Sequence, residues 1–197
     1  TAYKHDEKNK TSISSNSVWT IDEDDSHNLW LGTFGGGLSI FDRTKETFTN
    51  FKNDPNDPSS LGDDNIIRVF KDSKNNMWIG TTKGFCRYYR DSKKFTTYRE
   101  KDGLANDFVY GILEDDNGNL WLSTNNGLSK FDPQKETFKN YYYEDGLQRN
   151  EFNQNAFAKD FRTGRLLFGG PNGLNIFNPV DLTENDYFPP IVFTNYL

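Results

Sequence analysis

Asn28-Leu-Trp30-Leu-Gly32-Thr33, Asn76-Met-Trp78-Ile-Gly80-Thr81 and Asn119-Leu-Trp121-Leu-Ser123-Thr124 are three copies of one phrase. A fourth copy, Arg165-Leu-Leu167-Phe-Gly169-Gly170, has Leu167 where the others have Trp. The copies advance in steps of 48, 43 and 46 residues. A second marker keeps the same beat: Gly37-Leu38, Gly84-Phe85, Gly127-Leu128 and Gly173-Leu174. Four residues after each of these glycines stands a ring: Phe41, Tyr88, Phe131 and Phe177. Two markers in phase four times define an internal repeat, and a repeat of this length governs the reading of the fold.

Each unit reads as four short strands. In the second, Asn65 to Lys71 is β-branched and apolar, Asp72 to Asn75 is a polar turn, and Asn76 to Thr81 is a second strand. Thr82-Lys83-Gly84 turns the chain into Phe85 to Tyr89, and Asp91-Ser92-Lys93 turns it again into Phe95 to Tyr98. Four antiparallel strands per period are the signature of a β-propeller blade. No segment has the 3.6-residue period of a helical solenoid, and a β-sandwich would not repeat its sequence. The fold class is therefore all-β: a propeller fragment of about four blades of four strands each. The expected divisions are a partial blade over 1–13 and blades over about 14–62, 63–104, 105–147 and 148–178. Tyr3 to Val18 matches Phe51 to Ile66 at a constant offset, so the chain is expected to begin inside the last strand of a further blade. After Phe177-Asn178-Pro179 the fourth unit loses its last strand, and 179–197 reads as a linker and the first strand of another domain.

Composition agrees. The chain has 197 residues, only 34% of them hydrophobic, but 16% are aromatic, far too many for a disordered segment. Those rings are the expected filling between blades. A net charge of −6 argues against a nucleic-acid partner, which demands clustered positive charge. No apolar run is long enough to span a bilayer, so no membrane contact by this segment is expected. One cysteine, Cys86, excludes an internal disulfide framework and reads as a small buried filler. Two histidines, His5 and His27, leave little material for metal binding or imidazole catalysis, and no cofactor is expected.

The phrase Val18-Trp-Thr-Ile21-Asp-Glu-Asp24 … Asn28-Leu-Trp30-Leu-Gly32-Thr33 … Gly37-Leu38 … Phe41-Asp42 resembles the two-component regulator propeller repeat. The third copy fits equally well, and the ending Phe177-Asn-Pro179 … Pro189-Pro190-Ile-Val-Phe-Thr194 is similar to the passage from a last blade into an immunoglobulin-like domain. The resemblance implies the periplasmic sensor region of a hybrid two-component receptor of Bacteroidetes. Seven-bladed propellers there precede a membrane helix, a histidine kinase and a response regulator. It implies an oligosaccharide ligand, no catalysis by this segment, and a role in relaying the signal. Four repeats are fewer than a seven-bladed ring, so either further blades or a second copy are expected to cover the open faces.

Propeller connectivity places the loop leading into each blade and the loop between its second and third strands on one face, the natural seat of a ligand. On those loops the candidate ligand-binding residues are Phe34, Lys83, Asn106, Asp107, Asn125, Arg149 and Asn150. Phe34 could stack on a pyranose, and the Arg149 fork suits a uronic or sulfated sugar. Arg149 replaces the small or acidic residues Ala105 and Asp63 of the other copies. Asn and Asp on such loops also hold turns, which competes with a binding role. A protein-interaction scaffold is the alternative function. A lyase of the kind represented by streptogramin B lyase lacks its histidine constellation here, and the Asp-rich turns at 22–25 and 114–118 read as solvated hairpin turns rather than calcium loops.

Overall fold

The computed structural model describes residues 1–182 and contains three four-stranded antiparallel sheets followed by a three-stranded one. The first blade comprises β1 (Val18–Glu23), β2 (Leu29–Thr33), β3 (Leu38–Asp42) and β4 (Thr47–Phe51). The second comprises β5 (Ile66–Lys71), β6 (Met77–Thr81), β7 (Gly84–Tyr89) and β8 (Lys94–Tyr98). The third comprises β9 (Val109–Glu114), β10 (Leu120–Thr124), β11 (Leu128–Asp132) and β12 (Thr137–Tyr141). The fourth holds β13 (Phe157–Asp160), β14 (Arg165–Gly170) and β15 (Gly173–Phe177). Strands pair in chain order within every sheet, as a propeller blade requires.

Among the described residues the fourth blade holds three strands. Among the described residues β15 runs into a short 3-10 turn at Pro179–Asp181, and Pro179 has no N–H to offer a ladder. The linker and following strand expected over 179–197 lie, from residue 183, outside the described residues. Residues 1–17 form no strand. Tyr3, the counterpart of Phe51 at the end of β4, nevertheless keeps a ring contact of the repeat.

The second strand of each blade shows why the sequence alternates as it does. All five residues of β6 are buried, because both faces of the blade are covered. Met77 and Ile79 point to the first blade, where they meet Trp30 and Leu38. Trp78 points the other way, to the third blade, and packs with Val109, Ile112 and Leu120. A period of two with no solvated side is the pattern of a fully buried strand. At roughly 2–3 kcal/mol for each large side chain removed from water, these interfaces dominate the stability of the stack.

Rings tie each blade to the next. Phe51 at the end of the first blade lies 5.6 Å from Tyr88 and 5.5 Å from Phe95 of the second. Tyr98 repeats this on Phe131 (5.0 Å) and Phe138 (5.9 Å) of the third. Tyr3 makes the same contact with Phe41 (4.8 Å) and Phe48 (5.6 Å) of the first. Small residues mark where neighbouring sheets come closest: a Cβ on Gly111 would run into the ring of Phe157 in the fourth blade.

Candidate ligand-binding face

The loops leading into each blade meet the β2–β3, β6–β7 and β10–β11 turns through a repeated backbone clamp. Gly37 N–H donates to Asp64 C=O (3.0 Å), Gly84 to Asp107 (2.7 Å) and Gly127 to Asn150 (2.6 Å). These glycines sit at φ 78°, 134° and 106°, and a Cβ on Gly84 or Gly127 would stand 2.8 Å from the carbonyl oxygen of Tyr98 or Tyr141. Only glycine suits both demands. The side chains of the carbonyl partners close the lead-in loop on itself. Asp64 Oδ1 accepts from Asn53 N–H (2.7 Å), Asp107 Oδ1 from Glu100 N–H (2.8 Å) and Asn150 Oδ1 from Tyr143 N–H (2.6 Å). Asn16 Oδ1 does the same for His5 N–H (2.8 Å).

This clamp sorts the residues expected to bind ligand. Asp107 and Asn150 are its working members, and each spends its side chain on the loop. Asn106 is also engaged: Oδ1 accepts from Phe108 N–H (3.0 Å) and Nδ2 donates to Glu100 (2.9 Å). Asn125 is exposed and accepts a bond from the Tyr110 hydroxyl (3.3 Å). Lys83 is exposed and lies 3.6 Å from the buried Asp63 carboxylate. Arg149 is exposed and, among the described residues, makes no hydrogen bond or ion pair. The clamp aligns Arg149 with Asn106 and Asp63, so the expected equivalence with Ala105 is corrected by one residue.

Phe34 has a partner that sequence reasoning missed. Its ring stacks on Trp19 at 4.6 Å and 19°, and both rings keep about 40% of their surface exposed (42% and 41%). Trp19 Nε1 donates to Ser17 Oγ (3.0 Å), which fixes the indole at the start of β1. A sequence signal existed: Trp19 is out of phase with Trp30, Trp78 and Trp121, and its counterparts are Ile67 and Tyr110. The pair presents an apolar plate beside the clamped loops. On the inner strands, the Arg68 guanidinium lies over the Phe157 ring at 5.3 Å, with its Nε buried and unpartnered. Burial pushes its pKa down, against the pull of Asp22.

The opposite face carries a structural lock that corrects the reading of the Asp-rich turns as solvated. Asp24, Asp72 and Asp115 are buried, and each accepts the indole N–H of the Trp six residues later, at 2.9, 2.9 and 3.0 Å. The same carboxylates accept backbone N–H groups of their own turns, such as Asn28 (3.0 Å), Asn76 (2.7 Å) and Asn119 (2.9 Å). Asp24 also receives Arg90 of the second blade at 2.9 Å. Burial raises its pKa, but the bonds from Trp30, Arg90 and Asn28 outweigh that and hold it at about 2. In the fourth blade the acid and the indole are lost together, as Phe161 and Leu167, and Phe161 is exposed.

His5 Nδ1 lies 2.7 Å from Ile13 C=O, and His27 Nδ1 lies 2.6 Å from Glu23 in a turn of the opposite face. Cys86 is fully buried, and burial pushes its thiol pKa up.

Comparison with known proteins follows this geometry. The model of the two component regulator propeller family matches residues 12–35, 60–83 and 103–126, which are the lead-in loop and first two strands of the first three blades. A crystal structure described as the extracellular domain of the hybrid two component system BT3049 from B. thetaiotaomicron is 30% identical over 98% of this chain, with a TM-score of 0.81. That of BT4673 from the same organism is 21% identical over 91% of the chain, with a TM-score of 0.72, a likeness of fold. PorZ of Porphyromonas gingivalis, a surface component of the type-IX secretion system, shares the fold at 17% identity over 90% of the chain and a TM-score of 0.51. The chain spans 26%, 25% and 34% of the lengths of these three structures. No curated protein matches it. Three segments of the chain thus match the two component regulator propeller repeat, and the chain shares its fold with the extracellular domains of Bacteroides hybrid two-component systems.

Proposed function

We propose that this chain is part of the periplasmic sensor of a hybrid two-component receptor, that it responds to glycan oligosaccharides, and that it relays occupancy toward a histidine kinase. The observation supporting the receptor role is the similarity over nearly the whole chain to the extracellular domain of a hybrid two-component system. Among the described residues no helix is long and apolar enough to cross a membrane. The glycan reading draws on the Trp19–Phe34 plate, since a flat aromatic surface suits the apolar face of a pyranose, while clamped loops hold it still. Arg149 adds an exposed cation on the same loop face, unpaired among the described residues, which suits uronate or sulfate groups.

The test is calorimetric titration of neutral, uronic and sulfated oligosaccharides, with tryptophan fluorescence in parallel. Trp19→Ala and Phe34→Ala are expected to weaken a bound sugar about tenfold each, from the loss of one ring contact. Arg149→Gln is expected to weaken only acidic sugars. The reading is refuted if no sugar binds at millimolar concentration, or if both aromatic variants bind as the parent does.

A further inference from the structure

The second blade carries a cleft on its loop face, enclosed by its own lead-in loop, the β6–β7 turn and the segment leaving β8. Its volume is about 390 Å³, within the range of small-molecule sites. Three cations line it: Lys83, Arg99 and Lys101. The Arg99 fork is held by carbonyls, with Nη1 donating to Lys83 C=O and Nη2 to Gly62 C=O (3.3 Å). Carbonyls fix a guanidinium without cancelling its charge. Lys101 is exposed and makes no ion pair among the described residues. Its acidic neighbours serve the loop instead: Asp102 accepts from Arg99 N–H (3.0 Å) and Glu100 from Asn106 Nδ2 (2.9 Å). Lys83 lies 3.6 Å from Asp63, yet 67% of its side chain remains exposed.

The repeat shows that the fold does not require these cations. Phe85 pairs with Tyr98 in the second blade, as Leu38 pairs with Phe51 in the first and Leu128 with Tyr141 in the third. In that register Lys83, Arg99 and Lys101 correspond to Gly36, Lys52 and Asp54 of the first blade. In the third they correspond to Asn126, Tyr142 and Glu144. All three sheets form, but only the second gathers three positive charges at these positions. The lead-in wall is of another kind. Asp54 and Asp57 line it, and each gives Oδ1 to its own turn, accepting Asn56 N–H (2.9 Å) and Ser59 N–H (2.9 Å). Their Oδ2 atoms make no hydrogen bond among the described residues. Pro55 and Pro58 add apolar ring surface beside them.

We propose that this cleft binds an acidic sugar unit, with its carboxylate or sulfate among Lys83, Arg99 and Lys101 and its hydroxyls donating to Asp54 and Asp57. A neutral sugar leaves the cations unanswered, and a bare oxyanion leaves the two carboxylates facing it without a donor. The cleft shares no residue with the Trp19–Phe34 plate. It rests on the glycan reading above for the class of ligand and adds to it a requirement for negative charge.

The test uses glucuronate, glucose and inorganic sulfate as probes, followed by backbone amide NMR of the 197-residue chain. Glucuronate is expected to bind with a dissociation constant of about 1 mM or tighter, shifting the amides of 53–62, 83 and 97–101, and to weaken as salt is added. Glucose and sulfate should each bind there at least about tenfold more weakly. Lys83→Asn and Lys101→Glu install the residues that the third blade carries, so both are expected to fold, as circular dichroism checks. The turn tolerates the first exchange, because Lys83 N–H and Asn126 N–H make the same bond to a Thr hydroxyl (3.1 Å in each). Each variant should weaken glucuronate about tenfold, whereas Trp19→Ala should leave the cleft shifts unchanged. Glucuronate that shifts no cleft amide, binds there no better than glucose or sulfate, or is indifferent to both lysine variants overturns the proposal. In those cases sugar binding that is lost in Trp19→Ala still supports the plate, and the failure belongs to the cleft alone.

Discussion

Removing the Asp72 carboxylate should destabilise the chain by about 3 kcal/mol. Trp78 is fully buried and donates to Asp72 Oδ2 at 2.9 Å, so Asp72→Ala strands an indole N–H where water cannot reach it. An orphaned buried donor costs roughly 1–3 kcal/mol. The same substitution releases the backbone N–H groups of Lys74 (3.0 Å) and Asn76 (2.7 Å), which lie at a turn where water can partly replace the carboxylate. Those two losses add about 1 kcal/mol. With a denaturant slope of about 2 kcal/mol per molar urea, the unfolding midpoint should fall by about 1.5 M. The assay is urea titration followed by circular dichroism. Trp78→Phe and the double variant complete a cycle, in which the coupling between the two sites should be about 1–2 kcal/mol. A coupling near zero would falsify the claim that the acid is retained for the indole, leaving Asp72 as a turn residue only.

Two further predictions concern stability. Asp24 has a folded pKa of about 2, below its ordinary 3.8, so its contribution is complete above the unfolded pKa and is lost as pH falls through that interval. The stability gap between the parent and Asp24→Asn, measured by urea titration, should therefore shrink by about 2 kcal/mol between pH 5 and pH 2; a gap that stays constant contradicts this. Gly111→Ala drives a methyl into the Phe157 ring and should cost about 1–3 kcal/mol by the same titration. Gly146→Ala meets no neighbouring atom and serves as the comparison, paying only for its φ of 99°.

Strands were legible in the sequence because turns and rings recur in phase; β5 to β8 fall within one or two residues of their expected limits. The loop face was legible as well, since connectivity alone decides which loops share it. What escaped was the division of labour on that face. Asp107 and Asn150 have the composition of ligand contacts, yet the loop consumes their side chains, and only coordinates reveal that. The acid six residues before Trp30, Trp78 and Trp121 was visible as a spacing, but a buried turn aspartate and a solvated one are spelled alike. Trp19 was masked by the abundance of rings, because most of them fill interfaces and it does not.

The ring hand-off from Tyr3, Phe51 and Tyr98 has an evolutionary corollary. Because each sheet borrows part of its floor from the strand before it, the heritable unit need not coincide with the structural blade. A duplication or deletion spanning one period restores every junction wherever its breakpoints fall, since whatever is cut from one end of the unit is supplied by the next. Changes of whole-repeat length thereby leave each ring contact between neighbouring sheets in place.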